Sequence, residues 1–218
     1  MKVGTDGVLL GAWASVGAST LDVGTGTGLI ALMAAQRRSD ARITAIDIDP
    51  DAVRQAQENV CTSPFATRIT VCQADIRSGL AGQAFNSIIC NPPYFENALR
   101  SPDAARATAR HDDKLTFDDL AYNSAALLRD GGTLSVVIPL ERRADMTSSC
   151  ATFGLTLVRE THVRTLPAKP PKRTLMEFFK GYTNPCLPDE TDSLIIESAP
   201  SQPTSEFKML LKDFYLKF

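Results

Sequence analysis

A chain of 218 residues with 44% hydrophobic and 22% charged side chains is long enough for one domain with a sizeable core. Its formal charge of −2 neither marks nor excludes a nucleic-acid partner, and no run of 18 apolar residues offers a membrane span. The opening MKVGTDGVLLGAWASVGA has no clean signal-peptide pattern, and five scattered cysteines (Cys61, Cys72, Cys90, Cys150, Cys186) form no C-x-x-C pair. They read as thiols of a reducing, cytoplasmic compartment and not as a disulfide frame or a zinc site.

In chain order, an apolar stretch at 8–16 comes first, too short to cross a membrane. Strands are then expected at 20–24, 42–47, 68–75, 85–91 and 132–139, with helices at 27–37, 50–60 and 116–129. Pro50 suits a first helical turn, and Thr116 with Asp119 resembles a capping box. Strand and helix alternating in steps of about 25 residues imply a mostly parallel sheet wrapped by helices. Ligands bind such sheets beyond the carboxyl ends of the strands. Beyond Pro139 the pattern changes. Residues 155–182 carry six cations against Glu160 and Glu177, and a proline-rich loop, TLPAKPPKRT, joins two strand-like runs. The tail has another loop at 184–192 and an amphipathic helix at 205–216, with six acids against three lysines over 183–218.

Gly24, Gly26 and Gly28 lie between the first strand and its helix in LDVGTGTG. Glycines there let a ligand approach the backbone, and the helix behind them presents unpaired N–H groups. The dinucleotide spacing G-x-G-x-x-G needs glycine where Leu29 stands. G-x-G-x-G with Asp22 just before it instead resembles motif I of the class I S-adenosylmethionine-dependent methyltransferases. The second strand ends at Asp47, placed to accept both hydroxyls of a ribose. Asp49 competes for that role but also suits the N-cap of the next helix. Asp75, ending the third strand, is placed to accept from an adenine amine, with Ile48 and Ile76 covering the ring faces.

The fourth strand runs into IICNPPYF. The side-chain carbonyl of Asn91 and the backbone carbonyl of Pro92, held by rigid prolines, can accept both hydrogens of a planar amine. That grip turns the nitrogen lone pair toward an incoming methyl, and Tyr94 offers a face on which the amine's ring can stack. The stretch is similar to motif IV, [DNS]-P-P-[YFW], of amino-group methyltransferases acting on adenine N6, cytosine N4, guanine N2 or glutamine N5. It fixes the type of nucleophile and leaves the substrate open.

The segments KVGTDGVLLGAWA, AIDIDPDAVRQAQENV, SPFATRI, NPPYF, ARHDDKLTFDDL, KRTLMEF and FYLKF span nearly the whole chain. Together they resemble the bacterial tRNA1(Val) adenine-N6 methyltransferase family, whose target is the adenosine following the anticodon. The resemblance implies a Rossmann-like α/β fold with a mostly parallel seven-stranded sheet, one domain over 1–218, and S-adenosylmethionine as methyl donor. It also implies that Lys2, Thr5 and Asp6 lie near the methionine end of the cofactor, although TDG also fits a helix cap. Family members carry a further segment before MKVGTDG, so the chain is expected to lack a short N-terminal piece.

For the tRNA anticodon loop, the expected phosphate contacts are Lys169, Lys172 and Arg173 in the proline-rich loop and Arg142 beyond the fifth strand. Arg143 beside Arg142 is expected to share that role, and Arg106 and Arg110 are the expected RNA contacts of a long loop at 94–114 that reads as a lid. No metal is assigned, because RHDD at 110–113 lacks ligand spacing. A monomer free of membranes is expected. The competing readings are a methyltransferase for guanine N2 of rRNA or glutamine N5 of a release factor, and an RNA-binding factor that has lost its chemistry.

Overall fold

The computed structural model describes residues 4–80, 82–92, 115–181 and 192–216. Its first element is helix α1 (Thr5–Trp13), which the apolar stretch forms by turning buried residues from Gly7 to Ala12 inward. Then follow β1 (Ser19–Val23), α2 (Leu29–Arg37), β2 (Arg42–Asp47), α3 (Pro50–Cys61), β3 (Ile69–Gln73) and β4 (Phe85–Cys90). The second half has α4 (Phe117–Leu127), β5 (Leu128–Pro139), α5 (Arg143–Thr152), β6 (Leu155–Arg164), β7 (Arg173–Lys180), β8 (Asp192–Ile195), a small β9 (Glu197–Ala199) and β10 (Gln202–Pro203) hairpin, and α6 (Ser205–Leu211). The capping box on α4 forms as expected: Thr116 Oγ1 accepts from Asp119 N–H at 3.0 Å, and Thr116 N–H donates to the Asp119 carboxylate at 3.1 Å. Asp49 caps α3 through the Asp51 N–H at 2.9 Å.

The main sheet runs β3-β2-β1-β4-β5-β7-β6-β8. It therefore has eight strands and not the seven expected, because 192–195, read as loop and tail, pairs in parallel with β6. Only β7 runs antiparallel to its neighbours, a consequence of the short hairpin from β6. Neighbouring Ile88 and Ile89 show why strands like β4 are apolar throughout. Ile88 joins a core cluster with Leu120, Met146 and Cys150 of α4 and α5, whereas Ile89 joins one with Leu9, Leu10 and Met33 of α1 and α2. The predicted closing helix is shorter than its pattern, ending at Leu211.

Helix α1 is held at both ends. At its carboxyl end, Arg37 Nη1 donates to the carbonyls of Gly11 and Ala14 at 3.0 and 2.6 Å, and Arg159 Nη2 to that of Trp13 at 2.7 Å. Cations there satisfy the last carbonyls and oppose the negative end of the helix dipole. The Arg159 guanidinium also lies 3.7 Å from the Trp13 ring centroid and pairs with buried Glu177 at 3.3 Å. At the amino end, Asp6 pairs with Arg173 at the start of β7, 2.9 Å away. Among the described residues, no helix is long and apolar enough to cross a membrane.

Candidate active site

The carboxyl ends of β1, β2 and β4 lie side by side around the glycine loop. Gly24, Gly26 and Gly28 all have positive φ, at 69°, 56° and 81°, which only glycine adopts without strain. A Cβ on Gly24 would meet nothing within 4 Å, so the loop is open above that residue, whereas Gly28 lies against Ala56 of α3. The loop is pinned from β2: the N–H groups of Gly24 and Thr25 both donate to Ile46 O at 2.9 Å. Gly26 N–H donates to Asp47 Oδ2 at 2.9 Å, and Asp49 N–H to Asp47 Oδ1 at 3.0 Å. Each Asp47 oxygen thus has one backbone donor, which orients the carboxylate and leaves acceptor capacity for a ligand.

Asp22, in β1 just before the loop, is 1% exposed. Its Oδ2 accepts from Thr25 Oγ1 at 2.6 Å and Ala31 N–H at 3.1 Å, while its Oδ1 is buried without a partner. Burial pushes its carboxyl up to about 7, against the pull of Thr25 and Ala31, and the Asp47 charge adds to the rise. A buried acceptor with nothing to accept from calls for a donor, best a cationic one.

The sequence-expected residues fall into three groups. Asp22, Gly24, Gly26, Asp47 and Asn91 converge at the ends of β1, β2 and β4, where Val23 sits beside Cys90. Asn91 is half-buried and Pro92 buried; a Cβ on Gly7 of α1 would lie 3.9 Å from Asn91 Nδ2, so α1 crosses directly behind the amide. Thr5 is exposed on the first turn of α1, whose N-cap is Gly4, so TDG is not a side-chain cap.

The second group is placed otherwise than a simple contact set would have it. Ile48 stands 56% exposed beyond β2, but Ile76 is 3% exposed in the α4–α5 core cluster. Asp75 caps a short 3-10 turn through Arg77 N–H and is clasped by the Arg77 guanidinium at 2.7 Å. That clasp holds its carboxyl below the usual carboxylate range. Arg142 pairs with Asp145 at 2.6 Å and lies 4.8 Å from the Phe117 ring centroid. Arg173 pairs with Asp6. Lys169 and Lys172 are exposed. The third group, Lys2, Tyr94, Arg106 and Arg110, lies outside the described residues, as does His111.

Two polar clusters escaped the sequence reading. Glu177 accepts from Ser15 N–H, Ser135 Oγ and Arg159, which ties α1 to the sheet. Glu160 on β6 accepts from Arg143, His162 and Thr174. Burial alone would raise the Glu160 carboxyl, but the Arg143 and Thr174 bonds bring it below its ordinary value. The signal in the sequence was a single acid within each strand-like run, Glu160 in LTLVRETHVR and Glu177 in RTLMEFFK, which names no partner. Cys90 is buried, which pushes its thiol well above the ordinary range. Among the described residues, no group of three or more His, Cys, Asp or Glu could hold a metal ion.

A glycine loop pinned to acids at successive strand ends of this sheet defines a class of proteins, and the comparisons agree. The methyltransferase small domain model matches residues 7–148, and the chain belongs to that family. It is 46% identical to the tRNA1(Val) (adenine(37)-N6)-methyltransferase of Parabacteroides distasonis, over 100% of this chain and 92% of that one. It is also 46% identical to the enzyme of that name from Phocaeicola vulgatus, over 99% and 91%. A crystal structure of a predicted O-methyltransferase from Agrobacterium tumefaciens shares the fold at a TM-score of 0.73 and 22% identity, covering 96% of each chain. TrmN from Thermus thermophilus shares it at a TM-score of 0.58 and 24% identity, over 80% of this chain and 47% of that one.

Proposed function

We propose that this chain transfers a methyl group from S-adenosylmethionine to N6 of adenine 37 in tRNA1(Val), in the bacterial cytoplasm, as a monomer of one domain. The observation that carries the reading is the placement of Asn91 and Pro92 at the end of β4, beside the strand that delivers Asp22 and the glycine loop. The full-length relatives act, by their names, on that base.

The residues present fit the cofactor. Open space over Gly24 admits it against the backbone, Asp47 has acceptor capacity for ribose hydroxyls, and Asp22 Oδ1 lacks the donor that an ammonium would supply. Thr5 and Lys2 serve the methionine carboxylate, Ile48 covers an adenine face, and Asp75 accepts from the adenine amine once Arg77 yields part of its grip. Ile76 supports that wall from the core side. When bound, S-adenosylmethionine supplies an electrophilic methyl on a sulfonium. Asn91 Oδ1 and the Pro92 carbonyl hold both hydrogens of the target amine, so its lone pair leaves the ring and points along the line of transfer. The nitrogen becomes acidic on methylation and sheds its proton late, which removes the need for a strong general base. Tyr94 stacks on the splayed base, whose extraction from a loop costs little. Lys169, Lys172, Arg106 and Arg110 neutralise phosphates. Arg142 and Arg173 chiefly serve their own acid partners.

The test is methyl transfer from labelled S-adenosylmethionine to unmodified bulk tRNA, followed by nucleoside analysis. N6-methyladenosine in valine tRNA is the expected product. Label in rRNA or a release factor would keep the chemistry and replace the substrate. Absence of cofactor binding by calorimetry would leave the RNA-binding scaffold.

A further inference from the structure

Arg164 ends β6 at the same edge of the sheet as Asn91. Its Nε is buried with no hydrogen-bond partner. The other half-buried arginines of the described residues are engaged: Arg38 by Asp40, Arg68 by three carbonyls, Arg143 by Glu160, Arg159 by Glu177 and Arg173 by Asp6. Arg42 and Arg129 also lack a pair, but they are exposed and water serves them. Arg159 Nε is likewise buried without a partner, but its Nη2 is taken by Trp13 O and Glu177. Arg164 is different because its stem is packed in place while, among the described residues, none of its donors has an acceptor.

One acid besides Glu160 stands close, Glu197, whose N–H donates to Thr165 O, but its carboxylate forms no ion pair among the described residues. Glu160, His162 and Arg164 follow one another at two-residue spacing on the α5 side of β6, and Glu160 is consumed by Arg143, His162 and Thr174. Lys172 N–H donates to Val163 O and closes the hairpin beside Arg164. Lys172 is exposed and, by the alternation that sends Arg173 to Asp6 on α1, shares the α5 side with Thr174. Three strand spacings separate β6 from β4, roughly 14 Å. That is within the reach of neighbouring nucleotides in a splayed loop.

We propose that Arg164, with Lys172 beside it, binds a backbone phosphate of the RNA whose adenine lies at Asn91. The inference rests on the tRNA reading above. It assigns the anchoring contact to a residue that charge counting alone does not separate from its neighbours, and it takes Arg173 out of that role.

The experiment measures methyl transfer to tRNA over a salt series for the parent chain, Arg164→Gln, Arg164→Lys and Lys172→Ala, with cofactor affinity measured by calorimetry. Arg164→Gln is expected to raise KM for tRNA about tenfold and to lower the salt slope by about one, with cofactor affinity unchanged. Arg164→Lys keeps the slope while losing part of the affinity, since it retains the charge and not the fork. Lys172→Ala, exposed and safe for folding, shows a smaller rise with the same sign. An unchanged salt slope in both Arg164→Gln and Lys172→Ala, with the parent chain active on tRNA, overturns the phosphate site and leaves the enzyme reading intact. A parent chain that puts no label into tRNA overturns both. Replacing chloride by inorganic phosphate at equal ionic strength is expected to inhibit the parent more than Arg164→Gln, because the anion competes with the RNA for the same donors; equal inhibition of both overturns the phosphate site.

Discussion

The two halves of the sheet's carboxyl edge carry opposite charge and are built by different means. Across β1, β2 and β3 stand Asp22, Asp47 and Asp75, and the loop between them is backbone, namely three left-handed glycines whose N–H groups are held by Ile46 O, Asp47 and Thr25 O. Across β5, β7 and β6 stand Arg142, Arg143, Arg164, Lys169, Lys172 and Arg173, and the surface is made of side chains. On the acid side each carboxylate is oriented by donors within a few residues or on the next strand. On the basic side Asp145, Glu160 and Asp6 each take up one arginine, so the number of cations greatly overstates the charge on offer. A site made from backbone is set by local conformation, and one made from long side chains is set by whichever acid folds against it.

Asn91 stands at the seam, and replacing it should have the largest effect. Asn91→Ala is expected to lower the methyl-transfer rate at least about a hundredfold while cofactor affinity, read by calorimetry, stays within about twofold. A strong loss of cofactor binding would move Asn91 into the acid half.

Within the acid half, Asp22→Asn is expected to weaken cofactor binding about tenfold and to stabilise the ligand-free chain. The sign follows from linkage. The Asp22 carboxyl lies near 7 in the fold against an ordinary 3.8, so between those values the folded state holds a proton that the unfolded state has released. Stability from this group is therefore present at low pH and lost as pH rises through about 7. Thermal melts should show Asp22→Asn above the parent by a few degrees beyond that pH, at about 2–4 °C per kcal/mol. The gap should close near pH 4. A gap independent of pH would mean that Asp22 does not titrate in this window.

On the basic side, Lys169→Glu with Lys172→Glu should raise KM for tRNA several-fold and reduce the salt slope by about two, with kcat and cofactor affinity unaltered. The smallest effects are expected from the paired arginines. Arg142→Ala should leave KM for tRNA within about twofold. Arg173→Ala should do the same and cost roughly 0.5–1 kcal/mol of stability, because its partly exposed pair with Asp6 is screened by solvent. A tenfold KM change in either would show that tRNA breaks these pairs and uses the cations.

The elements that local chemistry dictates were legible from the residues. Pro50 and Asp49 start α3, Thr116 and Asp119 start α4, and the spacing of Gly24, Gly26 and Gly28 after a strand announces a loop that needs positive φ. IICNPPYF could be read as a strand that must stop, with carbonyls held rigid at its end. What residues 192–195 do was not legible, because a four-residue strand is defined by the edge of β6 that it joins. The same holds for α1, an apolar run whose helical form depends on Arg37 and Arg159 reaching its last carbonyls from elsewhere.

By itself, then, the sequence determined the parts whose cause is local: the glycine loop, the acids at successive strand ends, the caps, and the amide and proline that follow β4. The tertiary structure alone decided which charges are spent. Arg173 is clasped by Asp6, Arg143 by Glu160 and Arg159 by Glu177, and Arg164 is left with a buried donor and no acceptor. Backbone conformation is a short-range property of neighbouring residues, whereas an ion pair depends on where the chain returns, and no spacing in the sequence records that.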